Sequence, residues 1–285
     1  MRQNVLVNSE WDERGWLHLR GFFSCEEVDA INREVEQLWS KRPRAVTVDD
    51  LDTNRRCRMS ALDDSVRAHR LKLNDLYLVS PALRNALLAP RLVALLRTLM
   101  DAPPVLCNSL NLERSSEQDN HIDSLYMTPL SEGQLVATWI ALEEIRADAG
   151  PLRVYPGSHR ITPYRFSDGG RHAVDAEMDR WSGHTHDEVR RRGLQPVTVP
   201  ASAGDLVVWH ADLLHGAEAI ADPRTTRRSV VGHYFSLDDS LRRGYRVKPL
   251  GDGWWIARRP QPVDAATRAL SALERRVQRL RAALR

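Results

Sequence analysis

The chain has 285 residues, enough for one large or two small domains with a sizeable core, and its 42% hydrophobic and 28% charged residues fit an ordinary globular protein. Its 41 basic and 38 acidic residues nearly cancel to a formal charge of +3, which excludes the marked basic excess that nucleic-acid or membrane partners usually require. Three scattered cysteines (Cys25, Cys57, Cys107), a polar start from Met1 to Glu10 and no apolar run near the roughly 18 residues of a membrane helix predict a cytoplasmic protein without disulfides.

In chain order, "GWLHLRGF" alternates apolar and polar residues and predicts a half-buried strand. Ser24 then precedes "CEEVDAINREVEQLW" with Glu27 three residues on, which is a capping box, and Val28, Ile31, Val35 and Leu38 recur at helical spacing. Lys41 to Ala68 reads as an irregular charged loop, of the kind that often covers a site. Helical stretches are expected around Asn74–Leu78 and over Pro81–Met100. From Val105 the chain turns to short β-like runs: "VLCNSLNLE", "LVATWIALEEI", "LRVYPGSH", "LQPVTVPA", "DLVVWHADLLHG" and "RRSVVGHYFSL". Turn residues bound each run, so a barrel or sandwich is predicted. Thr162 to Gly193 reads as a polar insertion across the mouth of that barrel, partly helical at "DAEMDRW" and "HDEVRRRG".

In the tail, Leu270, Leu273, Val277, Leu280 and Leu284 alternate spacings of three and four, a seam too short for a coiled coil. Residues 261–285 are therefore expected to form a helix docked on its own domain, with a homodimer contact as the alternative. Residues 1–260 read as a single domain, helical over 1–104 and β-rich over about 105–240.

The chemistry starts at "NHIDSLYMTP", Asn120 to Pro129. Residues two apart in a strand share a face, so His121 and Asp123 can grip one ion. Two histidines and one carboxylate on one face of an octahedron form the open site of non-haem iron(II) oxygenases, with positions left for a co-substrate and dioxygen. The third ligand must come from a later strand. "GDLVVWHADLLHGAEAI" offers His210 and His215, and also a rival pair, His210 and Asp212, whose third ligand would be His233 or an earlier histidine. If His215 closes the set, a basic residue should follow to bind the far carboxylate of a 2-oxo acid by a bidentate contact. Arg227 and Ser229 share a strand face in "DPRTTRRSVVGHYF" and suit that task, which favours the set of His121, Asp123 and His215.

With "GWLHLRGFFSCEEVDAI", "HIDSLYMTP", "LVATWIALEEI", "GPLRVYPGSHR", "GDLVVWHADLLHG" and the Arg-Arg strand in this order, the chain resembles the phytanoyl-CoA dioxygenase-like group of iron(II)/2-oxoglutarate oxygenases from about Gly15 to Phe235. The resemblance implies an α+β, mainly β fold: a double-stranded β-helix (jelly roll) flanked by N-terminal helices, with a C-terminal helix. It implies His121, Asp123 and His215 as iron ligands and Arg227 at the distal carboxylate of 2-oxoglutarate, with Ser229 beside it. Trp139 falls where the family has an aromatic near the co-substrate, and Tyr126 and Asn111 are further contacts. The chain departs from the pattern at Ala217, where relatives often carry a hydroxyl residue. The step from His215 to Arg227 is also longer than in relatives, which makes Arg228 a rival. Related halogenases replace the carboxylate ligand with Ala or Gly; this chain keeps Asp123, so hydroxylation is expected rather than halogenation.

The implied reaction consumes dioxygen and 2-oxoglutarate, releases succinate and carbon dioxide, and hydroxylates an unactivated carbon of a small-molecule metabolite. Two alternatives stand beside it. One is the same chemistry on a coenzyme A- or carrier-bound acyl group, met by Lys41, Arg42, Arg44, Arg55, Arg56 and Arg58. The other is a non-catalytic metal- or ligand-binding jelly roll. Arg165, Arg171 and His172 are candidates to meet an anionic substrate, His233 to line the pocket, and Trp254 and Trp255 to form a lid or dock a tail.

Overall fold

The computed structural model describes residues 9–264. The heptad leucines from Leu270 onward, and the dimer contact expected of them, lie outside the described residues. Strand β1 (Trp16–Leu19) leads into helix α1 (Cys25–Lys41), whose start carries the expected capping box between Ser24 and Glu27. Its buried stripe is Val28, Ile31, Val35, Leu38 and Trp39. The stretch from Lys41 to Ala68 differs from the irregular loop that the sequence predicts. It holds a hairpin of β2 (Thr47–Asp50) and β3 (Arg55–Arg58) and two short 3-10 turns. The hairpin is written in paired charges, Asp49 across from Arg56, and so lacks the apolar alternation of an ordinary strand.

Strand β4 (Leu71–Asn74) and a 3-10 turn take the place of the helix expected at Asn74–Leu78, and the left-handed Asp75 lies between them. The long helix expected over Pro81–Met100 is two helices, α2 (Pro81–Leu87) and α3 (Pro90–Met100). Pro90 opens the second because proline suits a first helical turn and not a helix interior.

Strands then follow as the β-like runs predict: β5 (Pro104–Leu112), β6 (Leu135–Ala141) and β7 (Leu152–Val154). The insertion supplies α4 (Met178–Arg191), one continuous helix, before β8 (Val197–Thr198), β9 (Leu206–His210), β10 (His215–Ala217) and β11 (Ser229–Ser236). A short α5 (Leu237–Arg242) and the hairpin of β12 (Val247–Leu250) and β13 (Gly253–Ile256) complete the described chain. Trp254 and Trp255 lie in β13, which runs parallel to β5 at Val105 and Leu106; Arg84 stacks 4.0 Å over the Trp255 ring. They dock β13 against the large sheet and form no lid.

The protein is therefore mixed α/β with a large, mostly antiparallel sheet, of ten strands among the described residues, whose main order is β1-β9-β6-β11-β5-β4-β2-β3. Strands β10, β7 and β8 make a second, three-stranded sheet. Alternation assigns each residue of the large sheet to a face. Val136, Ile140, Leu206, Val208 and Val230 pack outward beneath α1, α2 and α3, while Ala137, Trp139, Trp209 and Val231 pack inward with Leu152 and Val154 of the small sheet. Covering both faces buries all of β6, so its sequence shows a continuous apolar run instead of alternation. Each fully buried aliphatic side chain here contributes about 1.5–3 kcal/mol relative to exposure. No helix among the described residues is long and apolar enough to cross a membrane.

Candidate functional site

His121 and His215 form an isolated antiparallel bridge, each backbone N–H donating to the other's carbonyl at 2.9 and 3.0 Å. Gly216 permits this approach, since a Cβ there would sit 2.9 Å from both the Gln118 carbonyl and Asn120 Oδ1. Asp123 does not continue a strand, as the sequence predicts; it opens a 3-10 turn, Asp123–Leu125. Ile122 is still extended, and one extended residue suffices to return the Asp123 side chain to the His121 side.

The result is a compact set of donors. Asp123 Oδ1 lies 3.8 Å from His121 Nε2 and 3.7 Å from His215 Nε2, and the two imidazole centroids are 4.3 Å apart. Donors about 2.1 Å from one ion stand roughly 3 Å apart at right angles, so a small inward movement of each would close on a metal. The imidazoles are oriented for it. His121 Nδ1 donates to the Asp119 carbonyl at 2.8 Å and His215 Nδ1 to the Leu213 carbonyl at 2.9 Å. A carbonyl only accepts, so both protons sit on Nδ1 and both Nε2 lone pairs face Asp123.

Burial, reinforced by the neighbouring His215, pushes the His121 pKa down to about 3. Burial also works against the charge of Asp123, yet His215, His233 and His121 outweigh it and hold the carboxyl well below the usual range. A neutral His121 and an ionised Asp123 are the forms in which these two side chains bind a divalent metal.

The set opens into a cavity of about 330 Å³. Its wall includes Lys72, Asn108, Gln118, Trp139, Arg227 and His233, with Leu110, Leu112, Leu152 and Val231 as its apolar part. Arg227 is 4% exposed, and its Nε and Nη1 have no hydrogen-bond partner; its guanidinium stands 5.8 Å from the Trp139 ring centroid. Burial pushes its pKa down to about 10. Arg228 turns away, with its side chain near Glu143 and its backbone N–H bonded to that carboxylate at 2.8 Å. Tyr126 stands at the mouth, 52% exposed, its ring 6.1 Å from that of His121.

Two expected contacts fall elsewhere. Asn111 projects to the outer face of the sheet, because Asn108, Leu110 and Leu112 are the residues of β5 that line the cavity; its Nδ2 donates to the Ser229 carbonyl at 3.2 Å. Ser229 is fully buried with its hydroxyl unbonded, and it stops short of the cavity wall. The rival pair is also displaced. His210 packs beside Trp11 and His159, and Asp212 accepts from Arg171 at 2.7 Å and from the Ser124 hydroxyl. Arg171 is thus a latch on the insertion and does not line the cavity. His172 bonds Thr128 Oγ1 at 3.2 Å, and Arg165 contacts the Gly169 carbonyl.

Several wall residues escape sequence reasoning, and three of them hold other parts of the site in place. Lys72 donates to Gln118 Oε1 at 2.9 Å, and burial lowers its pKa. Asn108 accepts from His233 Nδ1 at 3.1 Å. Trp209 donates its indole N–H to Asp123 Oδ2 at 2.8 Å. The available signal was strand parity: Trp209 shares the inward column of β9 and pairs with Ala137, two residues from Trp139.

The description Phytanoyl-CoA dioxygenase (PhyH) matches residues 11–229 of the chain. The mouse (Mus musculus) phytanoyl-CoA dioxygenase domain-containing protein 1 is 28% identical over 163 residues; the match spans 53% of this chain and 50% of that protein's length. Among solved structures, the epimerase SnoN in complex with Fe3+, alpha ketoglutarate and nogalamycin RO is similar at a TM-score of 0.59 and 21% identity, covering 82% of this chain and 84% of SnoN. EctD from S. alaskensis with 2-oxoglutarate and 5-hydroxyectoine is similar at 0.58 and 17% identity, covering 84% and 76%. HygX from Streptomyces hygroscopicus with nickel and 2-oxoglutarate bound gives 0.55 and 17%, covering 83% and 87%.

Proposed function

Because the chain belongs to the phytanoyl-CoA dioxygenase family, we propose that it is an iron(II)/2-oxoglutarate-dependent oxygenase that hydroxylates a small molecule on a double-stranded β-helix frame. The observation that carries this reading is Arg227: a buried guanidinium with two unbonded nitrogens, in the same cavity as a His-Asp-His set. A buried cation without a partner is costly, and a dicarboxylate reaching from a metal to Arg227 would supply the missing charge.

When bound, iron(II) with 2-oxoglutarate and dioxygen supplies the oxidising chemistry, with succinate and carbon dioxide as by-products. The chain's share is binding, orientation and exclusion of water. His121 and His215 offer Nε2 and Asp123 offers Oδ1, and the set retains the carboxylate that a halide would have to displace. Arg227 receives the distal carboxylate, with the Trp139 face beside its guanidinium. Leu110, Leu112, Leu152 and Val231 give the cavity wall its apolar part, and the half-exposed Tyr126 stands at its mouth.

A free small molecule fits better than a carrier-bound acyl group. Within the basic run offered for phosphates, Arg56 is paired with Asp49, Arg58 with Thr47 and the Gln261 carbonyl, and Arg42 with Asp64. The similar structures SnoN and EctD also carry small molecules, nogalamycin RO and 5-hydroxyectoine.

The test is succinate release from 2-oxoglutarate in air. The wild type should form succinate only with iron(II), and His215→Ala should fall to the metal-free background. Equal release by His215→Ala would contradict the reading.

A further inference from the structure

The two oxygens of Asp123 have different neighbours. Oδ1 faces His121 and His215, whereas Oδ2 accepts the Trp209 indole N–H at 2.8 Å and lies 3.5 Å from His233 Nε2. Trp209 is 3% exposed and its ring stands 4.9 Å from that of His215, so one indole braces two of the three donors.

His233 is itself pinned. Asp75 Oδ1 can only accept, so Asn108 presents its NH2 there at 3.0 Å and its Oδ1 toward His233 Nδ1 at 3.1 Å. Arg258 and Gln261 hold the other oxygen of Asp75 at 2.7 and 3.1 Å. The ring therefore has a fixed rotation, with its Nε2 edge behind Asp123.

A carboxylate next to a cation can offer it one oxygen or two. The second oxygen would occupy a position that an open three-donor face leaves for a co-substrate. Resting on the function proposed above, we infer that Trp209 is a positioning residue: its N–H ties up Asp123 Oδ2, with His233 closing the space behind, so that Asp123 meets the ion through Oδ1 alone and leaves room for 2-oxoglutarate. Simple packing does not account for this. A Phe would fill an apolar inward column equally well, whereas the indole N–H ends on a carboxylate oxygen.

The experiment separates two affinities under anaerobic conditions. Iron(II) is titrated into the apoprotein, and 2-oxoglutarate is then titrated into the iron-loaded protein. Wild type is compared with Trp209→Phe and with a protein carrying β-(3-benzothienyl)alanine at Trp209, which keeps the ring's shape and lacks the N–H. With Oδ2 released, iron(II) affinity should hold or tighten while 2-oxoglutarate, losing one coordination position to Oδ2, binds about tenfold more weakly. The benzothienyl protein should show this shift with an unchanged melting temperature. If that protein binds both like the wild type, or if both affinities fall together, Trp209 is packing only and the inference fails. If wild-type iron-loaded protein binds no 2-oxoglutarate, the proposed function fails and takes the inference with it.

Discussion

The guanidinium of Arg227 lies at 4% exposure with Nε and Nη1 unbonded. An isolated buried charge costs stability, whereas charge-assisted bonds to a carboxylate contribute about 1.5–3 kcal/mol each. The two effects predict opposite outcomes for one substitution. Arg227→Met should melt at the same or a higher temperature as apoprotein, yet bind 2-oxoglutarate about a hundredfold more weakly. A marked loss of stability, with 2-oxoglutarate affinity kept, would make Arg227 a structural residue.

His121 gives a pH signature. Its folded pKa, about 3, lies below the ordinary 6.5, so the unfolded chain takes up this proton first. Its contribution to stability is whole above pH 6.5 and is lost as pH falls toward 3. Thermal melts of the apoprotein should therefore drop between pH 6.5 and 4, and less steeply in His121→Gln. Equal slopes would remove His121 from the balance. At this scale the sequence revealed the donors, because their spacing carries the signal. It did not single out Trp209 or Asn108: parity puts Trp209 on an inward face, but its bond to Asp123 and that of Asn108 to His233 show only once the fold brings β9 and β5 beside Asn120–Pro129.

Among the elements, α1 was the most legible, since Ser24 and Glu27 mark its start and an apolar stripe marks its buried side. Its cap is separate from the site. Ser24→Ala should cost about 1 kcal/mol in chemical unfolding and leave iron(II) affinity unchanged. The insertion is different, because Trp181 of α4 and Phe166 pack on Leu125 and Leu214, which neighbour the candidate ligands Asp123 and His215. Trp181→Ala should therefore lower stability by roughly 3–5 kcal/mol and weaken iron(II) binding as well. Iron(II) affinity unchanged in the folded variant would confine the insertion to a scaffold role. The β2–β3 hairpin was hidden because Asp49 and Arg56 pair across the strands on an exposed face, and paired charges read as loop. Asn111 was misplaced for a related reason: a buried polar residue in β5 suits either face, and only strand parity decides.

Across the molecule, helices under one face of a large sheet leave the other face free to enclose a cavity with a smaller sheet. The strand runs from Val105 onward were visible in the sequence because turn residues bound them. Before residue 105, β1 was legible through the alternation of its residues, whereas β2, β3 and β4, each of four residues and charged or broken by turns, were not. The central claim is that this cavity joins an iron site to a 2-oxoglutarate anchor. The most direct measurement is anaerobic: iron(II) and then 2-oxoglutarate are added to the apoprotein, and the weak visible charge-transfer band of the chelate is followed in wild type, His121→Ala and Arg227→Ala. The account predicts a band in the wild type, none in His121→Ala, and in Arg227→Ala a band that needs far more 2-oxoglutarate. Wild-type protein that binds iron(II) and shows no band, or a band that survives in His121→Ala, would contradict it.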